Sequence, residues 1–470
     1  MTTQRRILFL VLCACLFFHS CQDVFGRRPN IVLFNVDDLG WSDLSYQGSL
    51  FYESPNVDAL SRAGMVFDNA YACAPNCAPS RACLMSGMYT PRHGVYTVGS
   101  AQRGRSADRR LIPVVNETVL ADSIVTIPEQ LKRAGYRTGH FGKWHLGADP
   151  RTQGMDVNIA GREWGSPSGG GYHSPFSFPN CKESKSGVYL TDRISEEAVK
   201  FIESSGNKPF FLYLAHYSVH TPLQAKQEYV SRYTGKKPDR GHANAKYAAM
   251  IQSMDESLGR VIQTLRQQRV YDDTVIIFIS DNGGHSGATN NRPLRGSKGM
   301  LYEGGIRVPM IVSWPGITTA GSRCATPVIG VDFMPTLLEI AGLKPKGGQV
   351  MDGKSIVPLF SNPNVEWPER SIYWHFPAYL EKSGGAGKGV PFRTTPASAV
   401  RRGDWKMIHF YEDGRQELYN LRNDLSERED LFAKRPEIAR QMSEDLVGWV
   451  KDTGGFIPTV ANPDFRERNP

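Results

Sequence analysis

The chain is poor in cysteine, has no internal repeat and no low-complexity tract, and beyond its N-terminus has no apolar run long enough to span a bilayer. The missing repeats exclude a solenoid or propeller, and the missing biased tracts leave no disordered tail to account for. Eight cysteines in 470 residues are too few for a disulfide-built scaffold. Cys73, Cys77 and Cys83 lie too close together for an ordinary disulfide framework. No second cysteine pair or histidine cluster stands near them to complete a zinc site. What is present is globular: 40% hydrophobic and 22% charged residues. The length allows about three domains, or one large α/β domain with a small companion.

The first residues, MTTQRRILFLVLCACLFFHSCQ, join a basic start (Arg5, Arg6) to an apolar run from Ile7 to Phe18. That run is short for a membrane span and has the form of an export signal over residues 1–21. An alternative reading is a lipid tether at Cys21, although Phe18 stands where a lipoprotein box usually has Leu. No transmembrane segment is expected downstream, and the protein is expected to work outside the cytoplasm. Loss of the signal removes Arg5 and Arg6 and no acid, lowering a net charge of +8 by two. A moderately basic exported protein suits acidic glycans, and no nucleic-acid partner is expected. In an oxidising compartment Cys73, Cys83, Cys181 and Cys324 could form up to two disulfides.

PNIVLFNVDDLG is an apolar, β-branched run ending in acids and glycine, which predicts a buried strand delivering Asp37 and Asp38 to its carboxyl end. YRTGHFG (136–142), PFFLYLA (209–215), DTVIIFIS (273–280) and VPMIVSW (308–314) predict further strands. Amphipathic helices fall between them. One opens on a capping box, Thr126 to Glu129; one carries the stripe Ile194, Ala198, Phe201, Ile202; one carries Ile251, Met254, Leu258, Val261, Ile262 and Leu265. Alternating strands and helices predict an α/β fold with a largely parallel sheet. GLKPKGG (342–348) marks a boundary between a catalytic α/β domain at 29–343 and a smaller α+β domain at 351–465. In the smaller part RSIYWHF, a hairpin turning at Gly403-Asp404, QELYNL and a helix from about Pro436 to Val450 predict an antiparallel sheet closed by a helix. The glycine-rich segments 161–174 and 383–391 read as loops.

In an open parallel sheet, ligands gather beyond the carboxyl ends of the strands. Asp37, Asp38, Asp281 and Asn282 fall there. They are hard oxygen donors, suited to Ca²⁺ or Mg²⁺ rather than zinc, and three carboxylates together would repel without a cation between them. Lys143 and Lys298, bracketed by glycines in GKWHLG and RGSKG, could hold an anion. His145 and His220 could move protons near neutral pH. His216, His285, Trp144 and Arg307 read as structural, and Asn116-Glu117-Thr118 is an N-glycosylation triplet. As a simple nucleophile Cys77 would need a base and a depressed pKa, and the sequence supplies neither.

CAPSR at Cys77 to Arg81 resembles the C-x-P-S-R signature of type I sulfatases, the formylglycine-dependent members of the alkaline phosphatase-like superfamily. The resemblance runs through LMSGMYTPRHG, PNIVLFNVDDLGW, GKWHLG, FFLYLAHYSVHTP, SDNGG and LRGSKGMLYEGGIRVPMIVSWPG, in the family's order, over Pro29 to Gly342. Ser297, where many relatives carry Gly, is a minor departure. The resemblance implies that a modifying enzyme converts Cys77 to formylglycine. It implies one Ca²⁺ held by Asp37, Asp38, Asp281, Asn282 and the modified Cys77, with Arg81 supporting the diol. Lys143 and Lys298 would bind sulfate, His145 would stand on the diol, and His220 would be a candidate general acid. The implied activity is sulfuric ester hydrolysis, on a sulfated carbohydrate or aryl sulfate. Two rivals remain at this point: a phosphomonoester or phosphodiester hydrolase of the same superfamily, and a catalytically silent binder of sulfated glycans.

Overall fold

The computed structural model describes residues 28–345, 348–381 and 391–467. The export signal, the alternative tether at Cys21 and nearly all of the glycine-rich segment 383–391 lie outside the described residues.

Eight strands form the central sheet: β1 (Asn30–Val36), β2 (Met65–Phe67), β3 (Arg137–Gly142), β4 (Val157–Ile159), β5 (Phe210–Ala215), β6 (Thr274–Ser280), β7 (Met310–Ser313) and β8 (Ser322–Cys324). Their spatial order is β8-β2-β7-β6-β1-β5-β3-β4. β1 lies at the centre, pairing in parallel with β5 and β6. Every residue of β1 is buried, as expected for a strand covered on both faces. Its side chains alternate between two cores: Val32, Phe34 and Val36 enter one, Ile31 and Leu33 the other.

The first core is covered by α3 (Leu190–Glu203) and α4 (Ala245–Gln267). The stripes Ile194, Ala198, Phe201, Ile202 and Ile251, Met254, Leu258, Val261, Leu265 are all buried there, with Ile262 at the margin. Burying each such side chain contributes about 1.5–3 kcal/mol. The second core is covered by α1 (Cys77–Ser86), α2 (Ile127–Arg133) and α5 (Phe333–Ile340). The capping box that starts α2 is formed, Glu129 accepting from the Thr126 backbone at 2.7 Å.

The sheet is parallel except around β7, which runs antiparallel to both β6 and β2. A parallel return needs a crossover, usually a helix. The chain between β6 and β7 carries only the four-residue helix Glu303–Ile306, and the strand comes back the other way.

The second sheet is antiparallel, in the order β9 (Ser371–Phe376), β10 (Ala397–Arg402), β11 (Trp405–Phe410), β12 (Gln416–Asn420). Helix α6 (Pro436–Asp452) closes one face through Ala439, Met442, Leu446 and Val450 on Val400, Met407 and Leu418. The other face presses Trp374, Phe376 and Ala399 on Tyr71, Cys73, Cys83 and Ile306 of the larger unit. Polar contacts fix that junction. Trp374 Nε1 donates to the Ala72 carbonyl at 2.8 Å, and the wholly buried Lys406 bonds Glu303 at 2.9 Å and Glu427 at 2.8 Å.

The expectation of disulfides is not met, since Cys73, Cys83, Cys181 and Cys324 are all free. Cys181 and Cys324 lie in different cores, so they cannot meet. Cys73 and Cys83 share a third core, where Cys83 Sγ lies 3.4 Å from His93 Nε2. The Asn116 amide bonds the backbone of Tyr96, Thr97 and Gly99.

Lys406→Ala would leave the buried Glu427 without its cation and Glu303 with Arg307 alone. The expected cost is about 3–5 kcal/mol, read by chemical denaturation. A loss below about 1 kcal/mol would show that the junction does not depend on this ion triad.

Candidate active site

Four strand ends supply the site. β1 ends in Asp37 and Asp38, β3 in Lys143 and His145, β5 leads to His220, and β6 ends in Asp281 and Asn282. A fifth element, α1, begins at Cys77 and is buried along its whole length. Arg81 lies one turn further along, on the same face as Cys77.

Local backbone constraints bring these groups together. At Gly142 φ is +109°, and an added Cβ would lie 2.0 Å from the Ala215 carbonyl oxygen. Only glycine lets the end of β3 press against β5, and from there Lys143 N bonds the same carbonyl at 2.6 Å. Asp38 is left-handed at φ 60°. Its carbonyl is held by Tyr247 Oη at 3.2 Å and its amide by Asp281 Oδ1 at 3.2 Å. Tyr172 Oη donates to the carbonyls of Tyr217 at 2.6 Å and His220 at 2.9 Å, fixing the His220 turn.

Charges of both signs then meet away from water. Lys143 Nζ lies 2.7 Å from Asp37 Oδ2, Lys298 Nζ 2.6 Å from Asp38 Oδ1, and Arg81 Nη2 2.8 Å from Asp281 Oδ2. Arg81 also donates to the Lys143 carbonyl at 2.7 Å. His220 Nε2 stands 3.6 Å from Asp38 Oδ2. Oxygens of Asp37 and Asp38, Cys77 Sγ and a His220 nitrogen all lie within 4.8 Å of one another.

These contacts shift the titrations. Burial, with Asp281 and Asp38 nearby, pushes Asp37 up to about 8 against the pull of Lys143. Burial would also raise Asp38, but Lys298 and His220 outweigh it and hold it well below the usual carboxylate range. Burial pulls Lys143 and Lys298 down, yet the facing Asp37 and Asp38 raise both above the ordinary lysine value. Burial and then the surrounding cations hold His145 well below its usual value, and burial with Lys298 takes His220 down to about 3. Both rings are neutral at pH 7. The Cys77 thiol is pushed up by burial, so a free thiolate is disfavoured at this position.

Two acceptors remain unanswered. Asp37 Oδ1 and Asn282 Oδ1 are buried and have no hydrogen-bond donor among the described residues. Asn282 Nδ2 donates to Asp38 Oδ1 at 2.8 Å, which ties this amide to the acid cluster. Buried orphan oxygens in an acid cluster where one carboxylate's charge is disfavoured are what a hard divalent cation would relieve. The donor set fits such an ion.

All ten residues singled out in the sequence thus converge on one site. His216, Trp144 and Arg307 are structural: His216 Nε2 bonds Ser257 at 2.8 Å, Trp144 packs on His140, and Arg307 pairs with Glu303 at 2.6 Å. Two contributors, Tyr172 and Arg393, carried no sequence signal strong enough to name them, and a third, His285, was read as structural from the sequence yet lies at the site. Tyr172 lies in the glycine-rich loop 161–174, where loop composition was the only hint. His285 stands half-buried in electrostatic reach of Asp38 and Lys298. Arg393 comes from the C-terminal part, in a stretch without a motif.

A family model described as Sulfatase matches residues 29–343, and one described as N-sulphoglucosamine sulphohydrolase, C-terminal, matches residues 297–452. A sulfatase of Formosa agariphila is 34% identical, over 90% of this chain and 89% of its own. Human N-acetylgalactosamine-6-sulfatase is 31% identical, over 74% of this chain and 68% of its own. Among solved structures, Ps i-CgsB in complex with k-i-k-neocarrahexaose superposes with a TM-score of 0.74 at 30% identity, covering 92% of this chain and 95% of that one. The fold is that of the alkaline phosphatase-like superfamily. Within it the chain belongs to the sulfatase family, and it is a sulfuric ester hydrolase.

A divalent oxygen-binding cation is expected to raise the melting temperature, by about 2.7 kcal/mol of added stability at a hundredfold excess over Kd. Asp281→Ala should lose most of that increment as well as turnover. An equal cation-induced shift in both proteins, in scanning calorimetry after chelator treatment, would contradict the ligand set.

Proposed function

We propose that this is an exported sulfatase of sulfated carbohydrates that works through formylglycine formed at Cys77 and one Ca²⁺. The observation that carries the reading is the setting of Cys77. It heads a buried helix inside a ring of acids and cations, its thiol is pushed up by burial, and it opens the pentapeptide CAPSR. A thiol there is a poor nucleophile, whereas a hydrated aldehyde at the same carbon is well supplied with partners.

Asp37, Asp38, Asp281, Asn282 and the modified Cys77 would hold the calcium. When bound, the ion supplies Lewis-acid polarisation of sulfate oxygens and of the attacking hydroxyl. Lys143 and Lys298 bind the sulfate and offset the charge that grows as the ester bond breaks, a contribution on the order of 3 kcal/mol for one well-placed donor. The formylglycine diol would supply one hydroxyl for attack on sulfur, opposite the S–O bond to the sugar, and a second hydroxyl through which sulfate is later released. His145, neutral and buried, can accept a proton from the diol. Arg81 holds Asp281 and the Lys143 carbonyl in place throughout.

His220 donates Nδ1–H to the Thr221 carbonyl at 2.5 Å, which leaves Nε2 facing Asp38. The anionic sulfate between Lys298 and this ring raises its proton affinity, favouring the donor form beside the leaving oxygen. A carbohydrate substrate is supported by the names of relatives, one an N-acetylgalactosamine-6-sulfatase and one solved with a neocarrahexaose. Export rests on the N-terminal signal, together with the finding that no helix among the described residues is long and apolar enough to cross a membrane. The division into a catalytic domain at 29–343 and a smaller one at 351–465 belongs to the same reading.

The test is chemical. The Cys77 peptide of active enzyme is expected to be lighter than encoded by the exchange of hydrogen sulfide for one oxygen, and to react with carbonyl reagents. Cys77→Ala should abolish turnover, and Cys77→Ser should stall as a stable sulfate ester after one cycle, because a single hydroxyl offers no elimination route. Sustained turnover by an unmodified thiol would overturn the mechanism.

A further inference from the structure

Arg393 is a half-buried cation that no motif explains. It stands on the short strand Phe392–Thr394, paired antiparallel with Leu380–Glu381. Its Nε and Nη1 are buried and have no hydrogen-bond partner among the described residues. The other arginines near the site are answered by Asp281, as Arg81 is, or by Glu303 and Tyr71, as Arg307 is. A guanidinium placed for structure alone would be satisfied in the same way, because leaving buried N–H groups unmade is costly.

Its position points toward the reacting centre. The guanidinium packs on the backbone of Gly299, where an added Cβ would meet Nε at 3.0 Å and Cζ at 3.1 Å. Gly299 follows Lys298, whose ammonium is 2.6 Å from Asp38, and its amide bonds the carbonyl of Pro75, two residues before Cys77. Asp38 and Cys77 act on Arg393 electrostatically, and Arg103 repels it. Arg103 is brought near by its neighbour: Gly104 lies under the Phe392 ring, next to Arg393 in the chain. Glu381, the acid on the same hairpin, is exposed, so solvent screens its attraction.

Two arginines with few answering acids, beside a site for a sulfate ester, form a receptor for a further oxyanion. A guanidinium holds oxyanions through charge-assisted N–H bonds, and Nε and Nη1, which lie on different edges of the group, both have that bond still to make. We propose that Arg393, assisted by Arg103, is a second-anion subsite that selects substrates carrying another sulfate or a carboxylate on the reacting sugar or its neighbour. This deepens the sulfated-carbohydrate reading above and rests on it.

The test compares matured wild-type enzyme with Arg393→Ala and the length-preserving Arg393→Gln. Three disaccharides are used: one monosulfated and otherwise neutral, one disulfated, and one monosulfated with a uronate. Wild type is expected to prefer a diacidic substrate. Both variants should lower that preference, as a ratio of kcat/KM values, at least about tenfold and mainly through KM, with Arg393→Lys recovering part of it. The disulfated and uronate arms report which anion the subsite takes. An unchanged ratio, or an equal fall on all three sugars, would overturn the subsite while leaving the sulfatase reading intact. Failure of wild type to cleave any of the three, with turnover of a phosphate ester instead, would overturn the underlying reading and the subsite with it.

Discussion

Burying three carboxylates in one place is the constraint from which the rest of the site follows. Asp37, Asp38 and Asp281 sit at adjacent strand ends because β1 lies at the centre of the sheet with β6 beside it, register-matched from Asn30 to Val36. Such a cluster is unstable in isolation, since like charges in low dielectric raise one another's proton affinity. The protein answers each acid with its own cation: Lys143 to Asp37, Lys298 to Asp38, Arg81 to Asp281. The balance is incomplete, as the unpartnered Asp37 Oδ1 and Asn282 Oδ1 indicate. That incompleteness makes room for an additional cation, and the same lysines can then turn toward an anion brought by substrate.

The architecture around this cluster explains why the C-terminal part matters to the chemistry. Lys298 comes from the long connection between β6 and β7, which no crossover helix braces. It is braced by the antiparallel sheet instead, through Lys406 on Glu303 and Arg295 on the Glu427 carbonyl at 2.9 Å. The same sheet region contributes Arg393 against Gly299. The central sheet therefore carries the clustered acids, and the antiparallel sheet braces the connection that brings Lys298 to them.

Much of this was legible in the amino-acid sequence because the signals were local. The strands of the sheet centre are unbroken apolar runs, and the site residues directly follow them, so the topology rule for parallel sheets located the site. The motif around Cys77 named the chemistry. Other features were not legible because they depend on distant partners. The reversal of β7 reflects a missing crossover, not the composition of MIVS. Cys73, Cys83, Cys181 and Cys324 looked available for pairing, yet each fills a hydrophobic core. Arg393 lies in VPFRTT, and only the fold brings it to Gly299. Tyr172 was invisible for the same reason, and His285, read as structural, comes near Asp38 and Lys298 only through the fold.

The central claim is that buried acids, a cation and a converted cysteine form one unit, and a crystal structure of the active enzyme grown with calcium tests it most directly. The account predicts a single ion within about 2.3–2.6 Å of oxygens from Asp37, Asp38, Asp281 and Asn282. It also predicts density for two oxygens, and no sulfur, on the β-carbon of residue 77. A cluster closed only by Lys143 and Lys298 around an intact Cys77 thiol, in crystals of enzyme that turns over sulfate esters, would contradict it.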